Sequence, residues 1–436
     1  MCRSVPMVLG LVCLGFSAGA FLGCGQSPVV TVNDCIAALQ NEDPYVRLGA
    51  LHTLFQMGPE AAPATQRLCI LLTDDDPNIA AGAARVLAAI GPAAESALPA
   101  LEAALRDERE SRLFGPVWST AAQAMGSMGP KGIAALIALL ESDDPAILRA
   151  AAYGLHFGGP AAAPAVPTLI QVLNRNDPRY RKEVIFALQG IGPPAKEAVP
   201  ALITMLHSDD FHTQYWACRA LAAIGPEAEP AIPVLMRLTK EGVTSVRRNA
   251  AAALGHIGPK IGPEGVSVLL EALRDPAEAV REQAVIALGR LGSFAADAAP
   301  AIEFAIVHRR LQCRPQAAVA IWRITGRAEL AIQVIREEIF LPENQMQAIW
   351  CLKELGPDGA PATPDLLKLL ESPDGDLREA AAEVIAELGP AGKAAIPALE
   401  RLLFDRDPEV RKAAARALRA LGQPVPESAD VPISNL

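Results

Sequence analysis

Six histidines are the side chains of this 436-residue chain best suited to hold a metal or move a proton: His52, His156, His207, His212, His256 and His308. A metal site on one helix face needs ligands one turn apart, the His-x-x-x-His spacing, and no pair has it. The eight cysteines are the other ligand class. Cys2, Cys13 and Cys24 belong to an apolar N-terminal leader. Cys35, Cys69, Cys218, Cys313 and Cys351 are odd in number, widely separated and without Cys-x-x-Cys spacing. They read as small buried hydrophobes, not as a disulfide frame or a zinc site. Gly-rich phosphate loops and nucleophile elbows are also missing. The residues point to recognition, with no catalytic, cofactor or metal residues expected.

Charge and composition narrow the partner. The formal net charge is −10, which gives no counterion-release term and argues against nucleic acid. Local clusters such as Arg309, Arg310, Arg314 and Arg323 read as solvated faces or ion pairs. The chain is 51% hydrophobic but only 4% aromatic, so its apolar content is mostly Ala, Leu, Ile and Val. Small side chains let helices approach closely, as a stacked array needs.

The elements that position any site are announced by a repeat. Gly-Pro recurs at residues 58, 91, 129, 159, 192, 225, 258, 356 and 389, and from Gly159 to Gly258 each step is 33 residues. Plain Gly292, Gly326 and Gly422 extend the series. Such a period means stacked units that bury their apolar faces against neighbours. In the last unit, Ala395–Leu403 reads as a first helix and Pro408–Leu421 as a second. Asp407 is placed to N-cap the second helix, Pro408 sits where a missing N–H costs nothing, and Gly422 closes it. Asp recurs at this place as Asp43, Asp76, Asp144, Asp177, Asp210 and Asp374. Arg follows at Arg47, Arg181, Arg247, Arg281, Arg378 and Arg411.

Asp407-Pro408-Glu409-Val410-Arg411-Lys412-Ala413-Ala414-Ala415-Arg416-Ala417-Leu418 resembles the second-helix consensus of HEAT-like repeats, specifically the PBS-lyase type. The resemblance returns about ten times and implies an all-α, right-handed α-solenoid (superhelix) of about twelve helix pairs over residues 31–422. It also implies Asp–Arg ladders between repeats and second helices lining a concave wall. Repeats 3, 8, 9 and 10 depart, with extra residues over Asp107–Gly115 and Pro276–Ala279, and changes of curvature are expected there. A di-iron hydroxylase of this class uses His-Glu dipeptides, and no histidine here precedes Glu. The bilin-lyase namesakes share only the repeat.

Positions three, seven, ten, eleven and fourteen after the capping Asp are apolar and form the core face. Positions two, six, nine and thirteen lie roughly 110° around the wheel. They bring Tyr153, Phe186 and Trp216 onto one wall, edged by Arg179, Glu183, His212, Arg219 and Asn249. Aromatic and Arg anchors with a polar rim have the makeup of a binding hot spot. The bland alternative is that these rings fill space between repeats, and Phe157 is expected to fill the core beside Gly158. Trp118, beside the repeat-3 insertion, is a further candidate.

Residues 1–23 read as a signal peptide, with Arg3 their one charge and an apolar run from Val5 to Leu22. Phe21-Leu22-Gly23-Cys24 resembles a bacterial lipobox, which implies an acylated Cys24, a short linker over 24–30 and a membrane-held protein on the extracytoplasmic side of the cell envelope. Ordinary cleavage and secretion, or an uncleaved anchor, are the alternatives. The proline-bearing stretch 423–436 is expected to be disordered. The sequence thus describes a monomeric, non-catalytic scaffold for a protein or peptide partner. An enzyme or bilin-lyase-like accessory using the same groove, or a structural spacer in the envelope, are the competing readings.

Overall fold

The computed structural model describes residues 31–308 and 311–425. The leader, Cys24 and nearly all of the tail lie outside the described residues. By its contacts the chain divides into two compact units, up to Ala231 and from Ile232, each built of helix pairs.

In the first unit the pairs are α1 (Val32–Ala38) with α2 (Pro44–Met57), α3 (Thr65–Leu71) with α4 (Pro77–Ile90), and α5 (Leu98–Ala104) with α6 (Val117–Ser127). They continue as α7 (Gly129–Leu139) with α8 (Pro145–Phe157), α9 (Val166–Asn174) with α10 (Arg181–Ile191), and α11 (Val199–Leu206) with α12 (Phe211–Ile224). The second unit holds α13 (Ile232–Glu241) with α14 (Thr244–Ile257), α15 (Gly262–Ala272) with α16 (Glu278–Leu291), and α17 (Ala299–Val307) with α18 (Arg314–Thr325). Its remaining pairs are α19 (Glu329–Glu338) with α20 (Gln345–Leu355), α21 (Thr363–Leu369) with α22 (Gly375–Glu387), and α23 (Ile396–Leu402) with α24 (Pro408–Ala420). In each unit the second helices of successive pairs pack side by side.

The α12 pair shows why these residues fold this way. Asp210 accepts from the backbone N–H groups of His212 and Thr213, capping the helix. Thr213, Ala217, Ala220, Leu221 and Ile224 are buried, the face the period assigns to the core. Each fully buried Leu or Ile contributes about 1.5–3 kcal/mol. Gly225 ends the helix at φ 74°, ψ −135°, a conformation that a Cβ would strain. The Pro226 that follows cannot continue an α-helix, and Gly225–Ala231 forms a 3-10 segment instead. Similar 3-10 segments link most of the pairs.

Caps and ladders are made by different aspartates, a correction to the single series expected from the sequence. Asp43, Asp76, Asp144, Asp374 and Asp407 cap their helices. The ladder to the preceding repeat's Arg runs mainly through the residue two earlier. Arg247 grips Asp275 at 2.7 and 2.8 Å, Arg378 grips Asp405 at 2.8 Å twice, and Arg47 reaches Asp74 at 3.5 Å. The same Asp74, Asp275 and Asp405 accept from the backbone N–H of the cap residue.

Asp177 departs from the cap series. Helix α10 starts at Arg181, and the Asp177 carboxylate is instead taken by Arg179, through its backbone N–H and its guanidinium. Asn176 just before it adopts φ 54°. Arg181 in turn donates to the Thr213 hydroxyl, because Ser208 stands where other repeats hold the ladder Asp. The repeat-3 insertion folds as a hairpin of β1 (Glu110–Ser111) and β2 (Gly115–Pro116), with Ser111 opposite Gly115. In repeat 8 the extra length sits after Gly258, where Gly262 opens α15 at φ 67°, and not at Pro276–Ala279.

Candidate functional site

Four rings on four successive second helices of the first unit stand in one line. Trp118 on α6 meets Tyr153 on α8 edge-on at 5.4 Å between centroids. Tyr153 stacks on Phe186 of α10 at 5.7 Å, and Phe186 meets Trp216 of α12 edge-on at 5.7 Å. Tyr153, Phe186 and Trp216 are half-buried, while Trp118 keeps 9% of its surface exposed. Such ring pairs contribute about 0.5–1.5 kcal/mol each beyond the area they cover, so the strip is rigid.

Side strands of this strip hold it in place. Phe157 is half-buried and edge-on to Tyr153 at 5.3 Å, so it belongs to the strip rather than to the core where the sequence placed it. His156 lies flat against Phe186 at 3.6 Å, and its Nδ1–H donates to the Phe186 carbonyl at 2.9 Å. A carbonyl only accepts, so that contact fixes the tautomer. Burial lowers the His156 pKa below 6.5, partly offset by this hydrogen bond. Gly190 makes the approach possible, since a Cβ there would stand 2.5 Å from the His156 carbonyl oxygen.

Cations lie over the two tryptophans that end the line. The Arg149 guanidinium is 4.2 Å from the Trp118 centroid, Arg219 is 5.0 Å from Trp216, and the Lys182 ammonium is 5.5 Å from Trp216. Arg219 also donates to the Tyr215 hydroxyl at 2.9 Å, and Arg149 pairs with Glu108 of the insertion at 2.5 Å. Half-buried Glu183 adds one carboxylate, its pKa raised by burial and partly restored by Lys182 and Arg149. Burial likewise raises the Tyr153 pKa, with help from the Glu183 charge.

Of the residues singled out from the sequence, Tyr153, Phe186, Trp216, Arg219 and Glu183 come together. Arg179 folds back on Asp177 and stands exposed. His212 is exposed and tilted on Phe211 at 4.1 Å. Asn249 belongs to the second unit, where its amide donates to the Ser245 carbonyl. Arg149, Lys182 and His156 were missed. Arg149 and Lys182 sit five residues after their Asp, off the positions used to define the wall, and their long stems carry the charge across.

The described cysteines are free, and burial pushes Cys218, Cys313 and Cys351 up to about 12. Thiols so far from ionised are poor nucleophiles. Among the described residues no three His, Cys, Asp or Glu side chains are grouped to hold a metal ion.

Helix pairs stacked second helix to second helix define an all-α solenoid. The model of the HEAT repeats matches residues 32–113, 166–254, 240–321 and 363–431, well over half of the sequence, and the chain belongs to that family. Solved structures agree on the fold. Importin beta is 14% identical with a TM-score of 0.57, the match covering 89% of this chain and 63% of that one. The Kap95:Nup1 complex gives 11% identity and a TM-score of 0.59, covering 89% of this chain and 62% of that one. Kap121p bound to Pho4p gives 14% and 0.60, covering 89% and 53%. This chain therefore spans little more than half to three fifths of those proteins. No curated protein sequence matches it.

Proposed function

We propose that the chain is a non-catalytic scaffold that docks a protein or peptide partner on the aromatic strip of its first unit, and that a lipid on Cys24 holds it in the cell envelope. The observation that carries the docking reading is the unbroken line of Trp118, Tyr153, Phe186 and Trp216, its last three rings half-buried and its two end tryptophans faced by cations, in a chain that is only 4% aromatic. Pure packing needs no pair of cations beside half-buried Trp216. Rigid rings lose little entropy on binding, which is how a pre-organised surface gains affinity. Kap121p bound to Pho4p and the Kap95:Nup1 complex are protein-bound structures of the same fold. What supports the lipid is the Phe21-Leu22-Gly23-Cys24 sequence.

A photo-crosslinking residue at position 182 tests the docking reading. Adducts are expected from that site, reduced by Trp216→Ala, and none from exposed Glu102 on α5. Equal yields from positions 182 and 102 would overturn it.

A further inference from the structure

The repeat-3 insertion serves two arginines differently. Its Glu108 pairs with Arg149, which already faces Trp118. Its Phe114 goes instead to Arg85 of α4. The Arg85 guanidinium carbon stands 4.5 Å from the Phe114 centroid and 4.8 Å from the centroid of Phe55 on α2. Phe114 is held there by packing against Ala80, Ala81 and Val117. Its backbone N–H donates to the Ser111 hydroxyl, which in turn donates to the Asn78 side-chain oxygen.

Two rings fix a guanidinium without satisfying its donors. Each such contact contributes about 0.5–1 kcal/mol near the surface and leaves the N–H edge unused. Among the described residues Arg85 makes no hydrogen bond or ion pair, and none of its nitrogens is buried. Arg219, by contrast, donates to the Tyr215 hydroxyl. The chain carries 49 acidic residues, yet it supplies Arg85 with rings and no carboxylate.

The repeat ties Arg85 to the strip. It stands nine residues after the capping Asp76, as Tyr153 does after Asp144 and Arg219 after Asp210. Helix α4 packs beside α6, which carries Trp118. The wall thus runs on through one more pair and reaches a fork of free donors.

We propose that Arg85 takes the carboxylate of an aspartate or glutamate in the partner segment that docks on the strip. A guanidinium is a planar fork that matches a carboxylate with two parallel hydrogen bonds, which a lysine ammonium cannot do. The rings already hold this fork, so little rotamer freedom is lost when the carboxylate arrives. The proposal rests on the docking reading above and names one contact of the docked segment.

A displayed library of random peptides, selected on the full chain, tests it. Peptides selected on the native protein are expected to share an Asp or Glu, and selection on Arg85→Glu to put Lys or Arg in its place. In titration calorimetry a native-selected peptide is expected to bind Arg85→Gln at least about tenfold more weakly, a difference of ~1.4 kcal/mol, with unchanged far-ultraviolet dichroism. Arg85→Lys, which keeps the charge without the fork, is expected to fall between. Full binding by Arg85→Lys overturns the fork, and an acidic preference that survives Arg85→Glu, or is absent from the native selection, overturns the proposal. A peptide that suppresses crosslinks at position 182 yet is indifferent to Arg85→Gln overturns it and leaves the docking reading standing. If no peptide is selected this proposal falls, and if no crosslink forms either, both fall.

Discussion

The imidazole of His156 lies parallel to the ring of Phe186, centroids 3.6 Å apart and planes within 10°, while its Nδ1–H is bonded to the carbonyl of the same residue. Burial holds its pKa below the ordinary 6.5, so the folded state favours the neutral ring. On acidification the unfolded chain takes up the proton first. Stability is therefore complete above 6.5 and lost as pH falls through it towards the lower folded value. His256, also lowered by burial, has the same sign, whereas Glu183, raised by burial, has the opposite one. Melting temperatures from pH 8 to pH 5 are expected to fall, and less steeply in His156→Phe, which keeps the ring stack without the titration. Identical slopes in the two proteins would contradict this.

Asp405 is expected to matter more than any capping aspartate. Its side chain and that of Arg378 are 9% and 7% exposed, so Asp405→Ala leaves a nearly buried guanidinium without its partner. Breaking such a pair costs about 3–5 kcal/mol, against about 1 kcal/mol for losing a cap as in Asp374→Ala. Urea denaturation of the two variants gives the ranking directly.

Gly190→Ala is expected to disturb the strip from beneath. The new methyl would meet the His156 backbone and Nδ1 at 2.5 and 2.6 Å, and relief requires α8 and α10 to part. Overpacking of this kind costs about 1–3 kcal/mol. Near-ultraviolet dichroism, which reads aromatic packing, is expected to change while far-ultraviolet dichroism does not.

Cys24→Ser tests the proposed lipid attachment. Radiolabelled palmitate is expected to enter the native chain and not the variant, and the variant is expected to leave the membrane fraction. Two acyl chains hold a protein durably because each buried CH₂ adds about 0.8 kcal/mol.

The repeat, the caps and the core face were legible because each unit restates them. Asp210 with Thr213, Ala217 and Leu221 could be read from period alone. Failures came where one unit breaks the rule through a local competitor. Arg179 captures Asp177 and delays α10, which no spacing argument reveals. The strip was half legible. Tyr153, Phe186 and Trp216 lie at the wall positions used, but Arg149 and Lys182 reach the rings from outside them. Trp118 sits just after an insertion and off the wall positions used, and its edge-on contact with Tyr153 shows that it completes the line.

The most direct measurement is the affinity of the partner captured at position 182 for native protein and for Trp216→Ala. Trp216 touches Phe186, Tyr215, Lys182 and Arg219, and removing a hot-spot ring costs about 2 kcal/mol or more. The expected result is at least roughly thirtyfold weaker binding with an unchanged helical spectrum. Unchanged affinity in a folded variant would contradict the account.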